Sequence, residues 1–456
     1  MTQEARESAA VGQLAVFHRL VANTGVASVT NNFIWFAVTF WAYLETKSVL
    51  VTAIIGGTYM LLLAGSALLF GTFVDRHRRK TSMLVSSAGS LVAYLAAAAF
   101  YGLASDAALR DLGSPMFWGL VVLILAGAIA GNLRSVALST TVTLLVPEDR
   151  HDKANGLVGT VNGISFALTS VFSGLAIGFV GMGWSLLITI AVTAMAALHL
   201  AVVRVPEPEP EHTDGKLPVV DLAGALRAVR LVPGLVGLLF FTTFNNLLGG
   251  AFMALIDPYG LTLVSVQTWG IVLAIMSSGF IVGGLLVASR GLGPFPVRRL
   301  LLANLAMWAI TFAFPIRSSI LLLTIGFTLY TVLIPVVEAA EQTILQKVVP
   351  FAEQGRVFGF AQTVETIASP ITSFAIGPMA QFWVIPSMTG GALAASIGPW
   401  FGTGPDRGMA LLFMGSAVIG LVLTALAFRS RAYRRLSAYY RAEPEVLLTP
   451  APCPAN

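Results

Sequence analysis

The chain has 456 residues, of which 56% are hydrophobic and only 11% are charged. Soluble globular domains carry about 25% charged residues, so this composition, with a mean hydropathy of +0.82, excludes an ordinary soluble protein. The hydrophobic runs are continuous and do not alternate in polarity, which predicts a polytopic bundle of membrane helices and excludes a membrane barrel.

Several other classes of protein are excluded by what the sequence lacks. The single cysteine, Cys453, allows no internal disulfide and no multi-cysteine metal site. The five histidines have no metal-ligand spacing, and no Walker motif is present, so we expect no metal, no cofactor, no ATP-driven pump and no enzyme. Residues 1–13 do not resemble a cleavable signal peptide. The net charge is +5, and the positions of the basic residues indicate the orientation of the chain in the membrane. We therefore expect no nucleic-acid partner.

Twelve hydrophobic segments are long enough to cross a bilayer, which takes about 20 helical residues. The predicted spans are 15–42, 50–73, 82–104, 116–145, 155–180, 183–203, 233–256, 268–289, 298–316, 318–345, 357–384 and 408–428. The sequence therefore predicts an all-α membrane protein with twelve transmembrane helices.

The loop between the second and third spans sets the predicted orientation. It contains Asp75 followed by a basic cluster ending at Lys80, and such a cluster is typical of a cytoplasmic loop. With this loop inside, both termini are also inside. The inner loops, tails and span ends then hold 22 Lys and Arg residues and the outer ones hold 4, with Arg134 left inside a span. This asymmetry predicts a multi-pass protein of the inner (plasma) membrane with cytoplasmic termini.

The same loop resembles a family signature. Transporters of the major facilitator superfamily carry Gly-x-x-x-Asp-Arg-x-Gly-Arg-Arg/Lys between their second and third helices. The matching residues here are Gly71, Asp75, Arg76, Arg79 and Lys80, and Arg78 replaces the usual second glycine. The resemblance implies that these residues gate the inner side and that the first, fourth, seventh and tenth helices line a central cavity.

The longest polar interruption divides the chain into two halves. It is rich in alternating Pro and Glu and is followed by an amphipathic pattern typical of a helix on the membrane surface. The predicted domains are a first six-helix bundle (1–203), a cytoplasmic linker with an amphipathic helix (204–232), a second six-helix bundle (233–428) and a cytoplasmic tail (429–456).

Short matches between the halves indicate an internal repeat. Val146-Pro147 and Val349-Pro350 close the fourth and tenth spans, 203 residues apart, and paired asparagines occur in the first and seventh spans. The run from Glu353 to Gly359 is similar to the loop before the eleventh helix in the drug-efflux branch that includes macrolide and enterobactin exporters.

Polar residues inside the spans are the candidate site residues, because burying them in a membrane is costly. They are Asn31, Asn32, Arg134, Asn245, Asn246, Glu338, Glu341 and Glu365. The asparagines are interpreted either as cavity residues or as hydrogen bonds between helices, and the charged groups either as a proton path or as a static buried ion pair.

Depth in the membrane suggests roles for the charged residues. Arg134 and Glu338 lie at nearly equal distances from the inner ends of their spans, so we expect an ion pair between them. Glu341, three residues further on the same helix face, is then the expected proton carrier, with Glu365 as the reserve. For the gate, we expect Asp75 to be held by Arg79 and by the N-terminal end of the eleventh helix, near Gly355.

The resemblance implies a secondary transporter that works by alternating access. It favours proton-coupled export of amphipathic small molecules, such as drugs or siderophore-like metabolites, by a monomer in the lipid bilayer. Two alternatives stay open at this point. One is a nutrient or metabolite importer on the same fold, and the other is a transport-inactive membrane sensor.

Overall fold

A computed structural model describes residues 3–46, 49–207 and 221–441 of the chain. Within these ranges the structure is helical and contains no strand. The long helices, numbered in chain order, are α1 (Gln3–Thr46), α2 (Val49–Arg76), α3 (Arg79–Leu103), α4 (Pro115–Leu145), α5 (His151–Phe179), α6 (Gly181–Val202), α7 (Leu235–Leu263), α8 (Val266–Arg290), α9 (Pro296–Ala313), α10 (Ile320–Val348), α11 (Gln354–Met379) and α12 (Pro405–Arg429). The twelve predicted spans correspond one to one to these helices.

The two halves repeat the same packing. In the first half α1 packs on α5 and α6, and α3 packs on α4 and α6. In the second half α7 packs on α11 and α12, and α9 packs on α10 and α12, which are the equivalent pairs six helices later. The fold is therefore an all-α membrane fold of two six-helix repeats.

The halves meet along two equivalent helix pairs, α2 with α11 and α5 with α8. Close backbone approach is possible there because glycines face the partner helix. A Cβ atom on Gly71 would collide with the carbonyl oxygen of Gly355, and a Cβ on Gly156 would collide with the backbone of α8 at Ala288. Gly71 is thus a packing residue of this interface.

Nine helices within the described residues are long and apolar enough to cross a membrane by length and composition alone. The other three long helices are α1, α5 and α11. Each packs against other helices on several sides, and α5 and α11 face the opposite half. Polar residues are tolerated on such faces: Asn31 and Asn32 lower the mean hydropathy of α1, and Gln362 and Glu365 lower that of α11.

Shorter elements connect the bundles. The outer loop predicted between the third and fourth spans contains a short helix, Asp106–Arg110. Between α11 and α12 the chain forms a π-helical turn (Ala380–Val384) and three short helices (Ile385–Thr389, Ala392–Ser396 and Gly398–Phe401). Residues 208–220 of the predicted linker lie outside the described residues, as do residues 442–456 of the predicted tail.

Two further helices lie at one end of the molecule. The linker helix (Leu222–Leu231) follows the linker, and the tail helix (Arg431–Arg441) follows α12. The α2–α3 turn lies at the same end, which we call the basic side. The other end is the opposite side.

Candidate functional site

Two adjoining cavities lie between the halves. The arginine cavity, of about 430 Å³, contains Arg134. The carboxylate cavity, of about 600 Å³, contains Glu341 and Glu365. Glu338 and Asn162 line both cavities. All eight candidate residues selected from the sequence line one or both of them, so the fold gathers into one polar space residues that lie more than 300 positions apart.

The arginine cavity is formed mainly by the first half. The side-chain amide of Asn31 donates to the Ala128 carbonyl oxygen at 2.7 Å, and its oxygen accepts from the Tyr94 hydroxyl at 2.8 Å. Asn32 also lines this cavity. Asn31 thus combines the two roles considered for it, since it joins α1 to α3 and α4 and also lines the cavity wall.

The predicted ion pair between Arg134 and Glu338 is wrong. The Arg134 side chain is 3% exposed and donates to the Asn23 side-chain oxygen on α1 and to the Ser87 hydroxyl on α3. Glu338 faces the same cavity from α10, but the ion pairs among the described residues do not include these two. Equal depth on two helices does not fix the direction in which a side chain points, and Arg134 points into its own half.

This geometry predicts different thermal stabilities for two variants. Asn23→Ala removes an acceptor from a buried guanidinium and should destabilise the fold by about 1–3 kcal/mol. Glu338→Gln removes a carboxylate that lines the cavity but pairs with no cation among the described residues. The melting temperature of this variant should therefore equal that of the parent. Melting of the purified protein in one detergent measures both, with Ser135→Ala as the control. An equal loss of thermal stability in the Glu338 variant would contradict this geometry and support the ion pair between Arg134 and Glu338.

The carboxylate cavity brings together two acids from neighbouring helices. Glu341 of α10 is 8% exposed, and its Oε1 has no hydrogen-bond partner among the described residues. It adjoins the carboxyl group of Glu365 of α11. Oε1 of Glu365 accepts from the Thr242 hydroxyl at 2.7 Å. Two adjacent carboxyl groups repel each other when both are ionised, so this pair favours binding a proton or another cation.

Asn245 and Asn246 line the same cavity from α7. Asn245 accepts from the indole nitrogen of Trp308 at 2.6 Å, and Asn246 donates to the Thr242 carbonyl oxygen at 3.2 Å. Sequence reasoning missed Trp308, Thr242 and the Arg134 partners. Thr242 lies one helical turn before Asn246, and that spacing is a signal that could have identified it.

On the basic side, Asp75 joins the two halves. Its carboxylate accepts from the backbone N–H groups of Gly355 and Arg356 at 2.7 and 2.8 Å and lies 3.3 Å from Nε of Arg356. The expected contact with the start of the eleventh helix is confirmed. The arginine that bonds Asp75 directly is Arg356, whereas the predicted partner, Arg79, attracts its charge without a direct bond.

Arg79 and Lys80 make other contacts. The guanidinium of Arg79 lies 4.1 Å above the Phe351 ring and donates to the Phe351 carbonyl oxygen at 3.4 Å. The backbone N–H groups of Arg79 and Lys80 donate to the Glu207 carboxylate at 2.5 and 2.8 Å, and Nζ of Lys80 donates to the Ala201 carbonyl oxygen at 2.8 Å. Arg76 is exposed at the end of α2.

Further contacts between the halves lie in the part of the molecule nearer the basic side. Asp152 at the start of α5 accepts from the backbone N–H groups of Leu292 and Gly293. The Asn155 amide donates to Gln346 at 2.8 Å, and Nζ of Lys347 lies 2.7 Å from the Glu148 carboxylate. Together with the Asp75 contact, these bonds hold the halves together at the basic side, so this conformation is closed there.

A polytopic bundle of two six-helix repeats around a polar central cavity defines a membrane transporter. The family model for the Major Facilitator Superfamily matches residues 20–373, and the chain belongs to that superfamily.

Relatives and solved structures agree with this assignment. Macrolide efflux protein A of Streptococcus pyogenes is 24% identical over 374 residues, which cover 78% of this chain and 87% of that protein. A crystal structure of a bacterial homologue of the iron transporter ferroportin in an outward-facing state superposes with a TM-score of 0.66 at 14% identity, covering 91% of this chain and 100% of the other. The E. coli fucose:proton symporter superposes with a TM-score of 0.63 at 13% identity, covering 92% and 99%. The structural likenesses show the fold alone.

Proposed function

We propose that the protein is a secondary transporter that exports amphipathic small molecules, coupled to proton entry, by alternating access. The observation that carries the proposal is the buried Glu341 carboxyl group beside Glu365 in the cavity between the halves, with its Oε1 free of any hydrogen-bond partner among the described residues. A carboxyl pair that gains and loses a proton can couple a pH gradient to the binding of a substrate in the same cavity. The name of the streptococcal relative supports export, with macrolides as the substrate class to test first.

In this proposal the protein lies in the plasma membrane with its basic side facing the cytoplasm. The distribution of Lys and Arg favours this orientation. Both termini then lie inside, and the chain works as a monomer of two bundles. Gly71, Asp75, Arg76, Arg79 and Lys80 form the gate at this side. The contacts between the halves at the basic side support a closed gate there, and the cavity is expected to open to the opposite side.

The candidate residues then divide into two groups. Glu341 and Glu365 hold the transported proton, and Thr242 orients Glu365 through its hydroxyl. The substrate path is formed by Asn31, Asn32, Arg134, Asn245, Asn246 and Glu338. Trp308 and Tyr330 add aromatic surface to the carboxylate cavity, which suits the apolar part of an amphipathic substrate.

The direct test measures accumulation of a radiolabelled macrolide in cells with and without the protein. Expression should lower the steady-state level, and a protonophore should remove the difference. Glu341→Gln at equal expression, which should lose proton-driven export, serves as the control beside the empty vector. Higher accumulation on expression would contradict export and favour the importer. No change across a panel of amphipathic compounds would favour the transport-inactive sensor.

A further inference from the structure

The tail helix carries a row of arginines on its exposed face. Arg431, Arg434, Arg435 and Arg441 are exposed, whereas Leu436 is 1% exposed and packs against the start of α7. None of these arginines forms an ion pair with a carboxylate in the described ranges. A short basic amphipathic helix that directly follows a membrane span lies where headgroups begin, and it attracts anionic lipid.

A small groove of about 200 Å³ separates the tail helix from the start of α9. The lining side chains that can hydrogen-bond are Arg298, Tyr433, Ser437, Tyr440 and Arg441. All five can donate a hydrogen bond, and no carboxylate lines the groove. Two guanidinium groups beside three hydroxyl groups match the oxygen acceptors of a phosphodiester.

The apolar edge of the groove is also suited to a lipid. Phe295 is 47% exposed, and the guanidinium of Arg441 lies 5.7 Å from the centre of its ring. The groove lies at the ends of two candidate membrane spans, Pro296–Ile316 and Pro405–Arg429. A glycerol backbone and the upper part of an acyl chain would meet Phe295 at this depth, next to the cationic groups.

The nearest acids are engaged elsewhere. They line a second pocket that shares Tyr440 and Arg441 with the groove. Glu148 pairs with Lys347, and the Asp149 carboxylate lies 3.9 Å from Arg150. Asp152 accepts from the backbone N–H groups of Leu292 and Gly293. Burial, together with Glu148 and Asp152, raises the pKa of Tyr440 to about 12, so its hydroxyl stays protonated over a wider pH range than that of an ordinary tyrosine.

We propose that this groove binds the headgroup phosphate of an anionic phospholipid, with Arg298 and Arg441 holding the phosphate and Phe295 contacting the glycerol region. The bound lipid would fix the tail helix against α9 and α7. This inference concerns lipid binding and does not depend on the transported substrate or on its direction.

The test is native mass spectrometry of the purified full chain titrated with dioleoyl phosphatidylglycerol or dioleoyl phosphatidylcholine. We expect phosphatidylglycerol to bind more tightly. Arg298→Gln or Arg441→Gln should weaken its binding about fivefold, and the double variant roughly 30-fold, as expected for about 1 kcal/mol per arginine near an anionic headgroup. The double variant Arg298→Lys/Arg441→Lys should retain most of the binding, because lysine also binds phosphate as a point charge.

Arg317→Gln, an exposed arginine on the opposite side, is the matched control and should bind phosphatidylglycerol like the parent. Unchanged melting in lipid-free detergent would show that the double variant is folded. Equal affinity for both lipids, or full retention of phosphatidylglycerol by the folded double variant, would overturn the proposal. Competition by millimolar inorganic phosphate as strong as that by the lipid would also overturn it, since the groove would then bind free phosphate.

Discussion

Replacing Glu341 with Gln should abolish export driven by a pH gradient while leaving gradient-free exchange of substrate intact. Glu341 is buried, its Oε1 has no partner in the described part of the chain, and it adjoins Glu365. A glutamine has nearly the same shape but cannot take up and release a proton. We expect driven efflux in proteoliposomes to fall by at least roughly tenfold, because the step that couples protons to the conformational change is lost.

The two acids can be separated by assaying Glu365→Gln in parallel. Glu365 accepts a hydrogen bond from Thr242, and an amide can accept the same bond, so the cavity should keep its shape. If Glu341 is the carrier and Glu365 tunes it, the Glu365 variant should keep part of the driven efflux. Glu353→Gln, which lies outside both cavities, is the control. Full driven efflux in both cavity variants would place coupling elsewhere.

Hydropathy and the basic loop were sufficient to predict the fold. Continuous apolar runs leave few alternatives to membrane helices, and the short matches between halves, such as Val146-Pro147 and Val349-Pro350, predicted the repeat that the equivalent helix pairs show. Helix ends were less predictable. α7 continues to Leu263, beyond the predicted end at residue 256, and Asp257 within this extension accepts a hydrogen bond from the indole nitrogen of Trp269.

The site was predicted as a set of residues but not as a set of contacts. Depth along a helix can be estimated from sequence, and it placed Arg134 and Glu338 near one level. The direction of each side chain depends on which helices pack together. Arg134 bonds Asn23 and Ser87 within its own half. Glu341 adjoins Glu365 because α10 and α11 both border the carboxylate cavity.

The same limitation applies to the direct partner of Asp75. Arg79 is one of the cations near Asp75 in the sequence, whereas Arg356 follows 281 positions later and approaches only when α2 packs on α11. Arg356 also donates to Asp221 at 2.8 Å, so it connects the linker to the α2–α3 turn. Such a three-part contact has no local signal in the sequence.

Asp75→Asn should weaken the closed basic side and slow transport without loss of expression or fold. The carboxylate accepts hydrogen bonds from two backbone N–H groups and from the Arg356 guanidinium. Hydrogen bonds to a charged group contribute about 1.5–3 kcal/mol each to stability. An asparagine keeps one acceptor oxygen and loses the charge, so the closed state should lose about 2 kcal/mol, roughly a 30-fold change in the equilibrium between the two states.

After Cys453→Ser, labelling of one cysteine introduced on the cavity-facing side of α10 near the basic side should report this shift as faster modification from that side. Asp149→Asn is the matched control, because Asp149 is an exposed carboxylate on the same side that bonds neither α11 nor α8. The control should label and transport like the parent. If Asp75→Asn also labels and transports like the parent, the contact with α11 stabilises the fold or its topology, and the gate must depend on the second set of contacts at Asp152 and Lys347.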